Sequence, residues 1–137
     1  MQGTRDESGA NAVEFALVLP ILLILLFGTI TGGVLYNQQH TLTQAAREGA
    51  RFAATLDGAD EETCSAAQLG DTDSWCGKTA SRIMNASNGL LGIANIDEVS
   101  LTDDEIRVTV SREGRLEIIF QAWNPTLSAT SIARYEG

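Results

Sequence analysis

Hydrophobic positions along the chain fall into three successive patterns. The first is a continuous apolar run from Phe15 to Leu35 that contains no charged residue. As a helix rising about 1.5 Å per residue, this run is roughly 31 Å long, close to the hydrocarbon thickness of a bilayer. The run predicts a transmembrane helix over residues 10–35, with a short polar segment before it and a separate domain after it.

The second pattern predicts that this helix continues past the apolar run. Small apolar residues recur there at i, i+3 and i+4 spacing: Leu42, Ala45, Ala46, Gly49, Ala50 and Ala53. The spacing predicts one apolar stripe on a helix over residues 37–56, which ends at Asp57-Gly58. Small side chains permit close approach, so we expect the stripe to pack on the domain's own sheet. A subunit contact in a filament is the alternative.

In the third pattern the apolar period changes to two. The alternating positions are Val99 and Leu101, then Ile106, Val108 and Val110, then Leu116, Ile118, Phe120 and Ala122. They predict an antiparallel meander with a hairpin turn at Glu113-Gly114, a break at Asn124-Pro125 and a fourth strand over residues 127–135. A short helix is predicted over residues 78–86. The fold class is therefore α+β, with a long N-terminal helix packed on a small antiparallel sheet.

Composition and charge exclude several classes of function. Lys and Arg number 9 against 18 Asp and Glu, a net charge of -9, whereas a nucleic-acid binder needs a basic face. One His and two Cys are too few for a typical zinc site, and the acidic stretch 57–76 lacks the ligand spacing of a calcium loop. Phosphate-loop and nucleophile-elbow motifs are absent from the sequence. We expect no enzyme activity, cofactor, metal, nucleic acid or small-molecule substrate.

The residues that precede the apolar run resemble a processing signal. Gly9 is followed by Ala10-Asn11-Ala12-Val13-Glu14-Phe15. This is similar to the prepilin-peptidase site of type IV-like pilins, in which a hydrophilic leader ends in Gly and the mature chain has Glu fifth and an aromatic residue sixth. Phe15 stands where tight-adherence pilins usually have Tyr. The resemblance implies a leader over residues 1–9, cleavage between Gly9 and Ala10, and subunit pairing through Glu14 and Phe15.

Two further segments, Val13–Pro20 and Leu42–Ala54, resemble the TadE-like family of minor pilins or pseudopilins, and residues 129–135 do so weakly. The family implies a pilin-like structural subunit that takes part in assembly of a tight-adherence pilus. Its partners would be the membrane, a prepilin peptidase, other pilins and the assembly machinery. The implied location is a single pass through the inner (cytoplasmic) membrane with residues 36–137 exported, and then an extracellular pilus.

Two other interpretations of the apolar run stay open. A plain anchor would make the chain a bitopic adaptor or sensor that never enters a filament, with Glu14 at the headgroup level. A Sec signal peptide would release a secreted domain, and Thr31-x-Gly33 offers a weak cleavage signal for it. The mature N-terminus distinguishes the three interpretations, because it would be Ala10, Met1 or a residue near Val34.

Two pairs of residues complete the candidate sites. Cys64 and Cys76 would form a disulfide in an exported domain, with two free thiols as the alternative. Gly28 and Gly32 have the spacing of a small-residue helix contact. Together with Gly33 they also predict a weak point in the transmembrane helix.

Overall fold

A computed structural model describes residues 7–57, 63–114, 116–118 and 121–135. Three α-helices come first, namely α1 (Glu7–Ala53), α2 (Ala66–Gly70) and α3 (Trp75–Ala86), and a 3₁₀ turn follows at Ile93–Asn95. The strands are β1 (Ile96–Thr102), β2 (Glu105–Glu113), β3 (Leu116–Ile118), β4 (Gln121–Trp123) and β5 (Thr126–Arg134). This arrangement confirms the predicted α+β class.

The long helix α1 is continuous from Glu7 to Ala53, which at about 1.5 Å per residue is roughly 70 Å. The predicted end at Asp57-Gly58 is wrong for the helix proper, and Gly58 lies outside the described residues. After Ala53 the backbone tightens to i→i+3 bonds, with the Leu56 amide donating to the Ala53 carbonyl (3.2 Å). The Trp75 indole also donates to that carbonyl (3.2 Å). The carbonyl groups of the last turn of α1 therefore find hydrogen-bond donors outside the helix, and the helix ends before the predicted position.

The predicted meander is wrong in its third strand. Among the described residues, three antiparallel strands form one sheet in the order β1-β2-β5, and β3 pairs with β4 in a separate two-stranded sheet. The predicted hairpin of β2 with the next strand at Glu113-Gly114 is wrong, since β2 pairs with β5 up to Glu113 and Thr126 and the Gly114 amide then donates to the Pro125 carbonyl (2.8 Å). The chain thus leaves the sheet at Gly114 and returns as the predicted last strand, which takes the free edge of β2. Phe120 lies outside the described residues.

The predicted apolar stripe of α1 faces the core, as expected. Its residues Leu42, Ala45, Ala46, Gly49, Ala50 and Ala53 are all buried. They pack with the inward-facing side chains of β1 and β2 and with Ile83 of α3. At Gly49 a Cβ would come within 3.0 Å of the Ile83 side chain, so the two helices are close enough to require glycine there.

The second predicted helix is confirmed and begins earlier than its apolar pattern indicates. The Ser74 hydroxyl accepts a hydrogen bond from the Gly77 amide (3.0 Å) and so caps α3 one residue before Trp75. The preceding helix α2 was not predicted from periodicity. It begins with a capping box between Ser65 and Gln68, a signal that the sequence contains and that hydrophobic spacing does not detect.

Candidate functional site

The N-terminal half of α1 stands clear of the rest of the described structure. Every residue from Gly9 to Ile30 is exposed, including Phe15 at 64% and Leu17 at 70%. A surface helix of a globular domain buries one apolar stripe, whereas this segment is apolar on all sides. By length and composition the helix could cross a membrane. An apolar surface this large needs a nonpolar covering.

Polar groups within the apolar half are satisfied inside the helix. The hydroxyls of Thr29 and Thr31 donate to the carbonyls of Leu25 (2.7 Å) and Phe27 (2.8 Å). Such i→i−4 bonds leave no hydroxyl donor unpaired on a surface that lipid would cover. Pro20 lies inside the helix, where it removes one backbone donor. The segment is therefore compatible with a hydrocarbon environment.

Glu14 is the one charge on this apolar surface. It is exposed, and it is the only Asp, Glu, Lys or Arg between Ala10 and Ala46. The next positive residue along the helix is Arg47, roughly 50 Å away at about 1.5 Å per residue. An unpaired carboxylate at the edge of an apolar medium is costly. Glu14 therefore either lies at the headgroup level in contact with water or has a partner from the N-terminal end of the chain or from another molecule.

The predicted processing bond lies at the open end of α1. Gly9 and Ala10 are both helical and exposed, and a Cβ at Gly9 would meet nothing within 4 Å. The first amides of a helix have no intrahelical acceptor, so its first turn opens at low cost. Within the described residues nothing packs against Gly9, and cleavage of this bond stays a prediction.

The predicted helix-contact glycines have no partner within the described structure. A Cβ on Gly28, Gly32 or Gly33 would meet nothing within 4 Å, so nothing in the described domain requires glycine at these positions. Gly28 and Gly32 are one turn apart and share a face of α1. The face is open to a second helix, and the contact itself stays a prediction.

The two cysteines lie at the opposite end of the domain from Glu14. Their sulfur atoms are 2.05 Å apart. The Cys64 amide donates to the Val99 carbonyl (2.8 Å), and Cys76 lies in the first turn of α3. The segment that contains Cys64 is therefore joined to β1 by this hydrogen bond and to α3 by the disulfide, and the exposed half of α1 takes no part in either link. Formation of the bond in the exported protein stays a prediction.

Sequence patterns missed one contact of the exposed helix. Thr31 and Leu35 are its first half-buried residues, and the backbone of β3 runs within 8 Å of α1. A Cβ at Gly114 would lie 2.9 Å from Leu35 Cδ2. Because the contact depends on the chain leaving the sheet at Gly114, hydrophobic periodicity carries no signal for it.

Within the described ranges no group of three His, Cys, Asp or Glu residues is arranged to hold a metal ion.

A comparison with known protein families gives a match to the part of α1 that contains both the exposed apolar segment and the buried stripe. The family model described as TadE-like protein matches residues 9–51. No curated protein matches the chain, and no solved structure matches it. The matched span begins at Gly9, contains Glu14 and ends shortly before α1 does. The family is associated with the tight-adherence pilus and is structural rather than catalytic. The match over residues 9–51 confirms the resemblance of this segment to the TadE-like family that its sequence indicated.

Proposed function

We propose that the chain is a structural subunit, a minor pilin or pseudopilin, that takes part in assembly of a tight-adherence pilus. The observation that carries this proposal is the fully exposed apolar half of α1 with Glu14 as its only charge. The family match covers the same segment. An anchor needs only the apolar length, whereas a subunit also needs a specific polar contact, which Glu14 supplies.

The exposed helix suits two successive environments. Before assembly, the span 10–35 crosses the inner membrane, with the exported domain 36–137 beyond it. In a fibre, the same surface is covered by the helices of neighbouring subunits instead of lipid. Because the segment is apolar on all sides, either covering removes it from water. The open face at Gly28 and Gly32 lets a neighbouring backbone approach closely.

Cleavage after Gly9 would give Glu14 a partner. The new α-amine of Ala10 would carry a positive charge at neutral pH. Ala10 and Glu14 are four residues apart and therefore share one face of α1. The amine and the carboxylate can pair within one subunit, or between neighbours, where the pair sets their axial register. Phe15 adds an aromatic contact next to the pair.

Replacement of Glu14 by Gln tests the pairing role, because it removes the charge and keeps the size. We expect Glu14→Gln to be cleaved and inserted into the membrane, and to produce few or no pili. Glu48→Gln is the matched control, since Glu48 is also on α1 but pairs with Arg82 on the domain surface (Nε to Oε1 3.0 Å). Pili are counted by electron microscopy, and insertion is checked by resistance to carbonate extraction. A normal pilus number with Glu14→Gln would refute the pairing role.

The mature N-terminus tests the processing step and separates the competing interpretations. Intact-mass measurement should give a chain that begins at Ala10. Gly9→Leu should leave the full-length precursor, because the added side chain obstructs the peptidase site, while Ala16→Leu should mature normally. A chain that keeps Met1 would instead favour a bitopic adaptor or sensor. A chain that begins near Val34 would favour a secreted domain released by signal peptidase.

A further inference from the structure

A polar groove lies beside α1 at the end of the domain nearest the apolar run. The Trp75 indole donates to the Ala53 carbonyl (3.2 Å) and Ile83 packs on Gly49, so α3 runs antiparallel to α1 and ends towards Leu35. Beyond the last turn of α3 the groove has a volume of about 420 Å³. Residues of α1, of the turn after α3 and of β2 line it, among them Asn37, Gln38, Thr41, Gly89, Leu90 and Arg112.

Arg112 lies where the pattern of β2 predicts an apolar residue. The side chains of Ile106, Val108 and Val110 face the core and are fully buried, and Arg112 continues the same alternation at the end of the strand. Among the described residues that line the groove, it is the one that carries a charge.

Most of the hydrogen-bonding capacity of Arg112 is unused. One of its five N–H groups donates to the Leu90 carbonyl (2.9 Å). It forms no salt bridge with any described residue. The side chain is half-buried, so solvent reaches it only in part. A guanidinium in this state is suited to bind a phosphate, which accepts two parallel N–H bonds.

The groove also offers groups that accept a donor. Gln38 lines it, and the Oε1 atom of Gln38 is buried and receives no hydrogen bond from the described residues. A buried acceptor without a donor costs free energy. The helix α3 ends at Ala86, and the C-terminal end of a helix favours a cation because it carries a partial negative charge. The groove therefore combines a place for an anion with a place for a cationic donor.

Apolar helix surface continues directly from the groove. Gln38 is three residues beyond Leu35, roughly 5 Å along the helix axis. Val34 and Ile30 lie one and two turns before Gln38 on the same face of α1, and they are 51% and 56% exposed. A molecule bound in the groove therefore has apolar surface beside its polar part. This arrangement fits a phospholipid, since a free phosphate ion would make no use of the apolar surface.

We propose that this groove binds a phosphatidylethanolamine molecule of the membrane that α1 spans. Arg112 binds the phosphate, the ethanolamine ammonium donates to Gln38 Oε1 close to the end of α3, and the acyl chains lie along Val34 and Ile30. The proposal rests on the membrane insertion of α1 that belongs to the proposed function. The bound lipid fixes the height of the exported domain above the bilayer before the subunit enters a filament.

A comparison of two lipids tests the role of the ammonium. Binding to the full chain in detergent micelles is measured by native mass spectrometry, with phosphatidylethanolamine and phosphatidylcholine of identical acyl chains. The choline group keeps the positive charge and has no N–H to donate. We expect phosphatidylethanolamine to bind about tenfold more tightly, as one hydrogen bond from a charged donor provides. Equal affinities for the two lipids would overturn the proposal.

Three variants test the named residues. Arg112→Gln should weaken the binding of both lipids by about tenfold or more. Arg107→Gln is the matched control, since Arg107 is on the same strand and exposed on its outer face, and it should bind both lipids normally. Gln38→Leu should keep phosphatidylcholine binding and lose the preference for phosphatidylethanolamine. If urea unfolding shows that Arg112→Gln does not fold, Gln38→Leu still decides the question, and an unchanged preference in it would overturn the proposal.

A soluble headgroup separates a lipid ligand from a free phosphate ester. Glycerophosphoethanolamine carries the same phosphate and ammonium without acyl chains. We expect an equal concentration of it to displace little of the bound lipid. Displacement as effective as that by the lipid itself would overturn the assignment of a lipid.

The outcomes also separate the failure of this proposal from the failure of the pilus function. Unchanged lipid binding in Arg112→Gln, together with loss of pili in Glu14→Gln, would overturn the lipid site and leave the pilus function intact. Lipid binding as expected in a chain whose Glu14→Gln variant assembles normal pili would support the lipid site and refute the pairing role. Release of the chain from membranes by carbonate would overturn both, since α1 would then not be inserted.

Discussion

Gly77 lies in the first turn of α3, where the structure leaves no room for a side chain. A Cβ there would come within 3.0 Å of both the carbonyl oxygen and the carbonyl carbon of Asp71. These are backbone atoms, so Gly77→Ala must displace the chain rather than rotate a side chain. The same Asp71 carbonyl accepts a bond from the Ser74 hydroxyl (2.8 Å), and Ser74 caps α3 through the Gly77 amide. The displacement therefore disturbs the helix cap as well.

The expected cost follows from three contributions to the free energy of unfolding. Overpacking of a closed site costs about 1–3 kcal/mol, and loss of a serine cap costs about 1 kcal/mol. The better helix propensity of alanine offsets about 1 kcal/mol. We expect Gly77→Ala to lower the free energy of unfolding by about 2 kcal/mol, which moves a urea midpoint down by roughly 1 M at a typical slope of about 2 kcal/mol per molar.

The measurement is urea unfolding of the full chain in detergent micelles, in a Trp123→Phe background. Trp75 fluorescence then reports the packing of α3 on α1, because its indole donates to the Ala53 carbonyl. Gly70→Ala is the matched control, since Gly70 is helical and exposed and a Cβ there would meet nothing within 4 Å. It should keep or slightly raise the midpoint. Equal midpoints for Gly77→Ala and Gly70→Ala would refute the reasoning.

Three further predictions use the same chain. Ile106→Ala, at a fully buried site of β2, should cost about 2–5 kcal/mol in urea unfolding, whereas Ile132→Ala, at a site 51% exposed, should cost less than about 0.5 kcal/mol; equal costs would contradict the assigned inner face. Replacing Cys64 and Cys76 by Ser should cost about 3 kcal/mol, and dithiothreitol should lower the midpoint of the unmodified chain by the same amount; an unmodified chain whose midpoint does not change with dithiothreitol would show that no disulfide forms. Replacing Gly28, Gly32 and Gly33 by Ala should leave membrane insertion intact and reduce pilus number, and an unchanged number would argue against the helix contact.

Local sequence patterns determined the features that depend on one element at a time. The uncharged run Phe15–Leu35 gave the exposed apolar helix, because a length of apolar residues is a local property. The stripe that contains Ala45 and Ala46 gave the buried face of α1, since a helix of fixed period brings those residues to one side. The candidate processing site is also defined locally, by the order of Gly9, Ala10 and Glu14 along the chain, and cleavage and pairing there stay predictions.

Tertiary structure decided which elements meet. The alternating pattern over 116–122 predicts a strand and leaves its partner open, since period two is the same for any pairing; the structure has the short strands β3 and β4 there instead. In the structure β5, and not β3, pairs with the free edge of β2. Gly114 lies close to Leu35 and its amide donates to the Pro125 carbonyl, so the chain leaves the sheet after β2. Residues far apart in the sequence make these contacts. For that reason the sequence alone determined the apolar helix, which by length and composition could cross a membrane, and the tertiary structure alone placed β3 beside it.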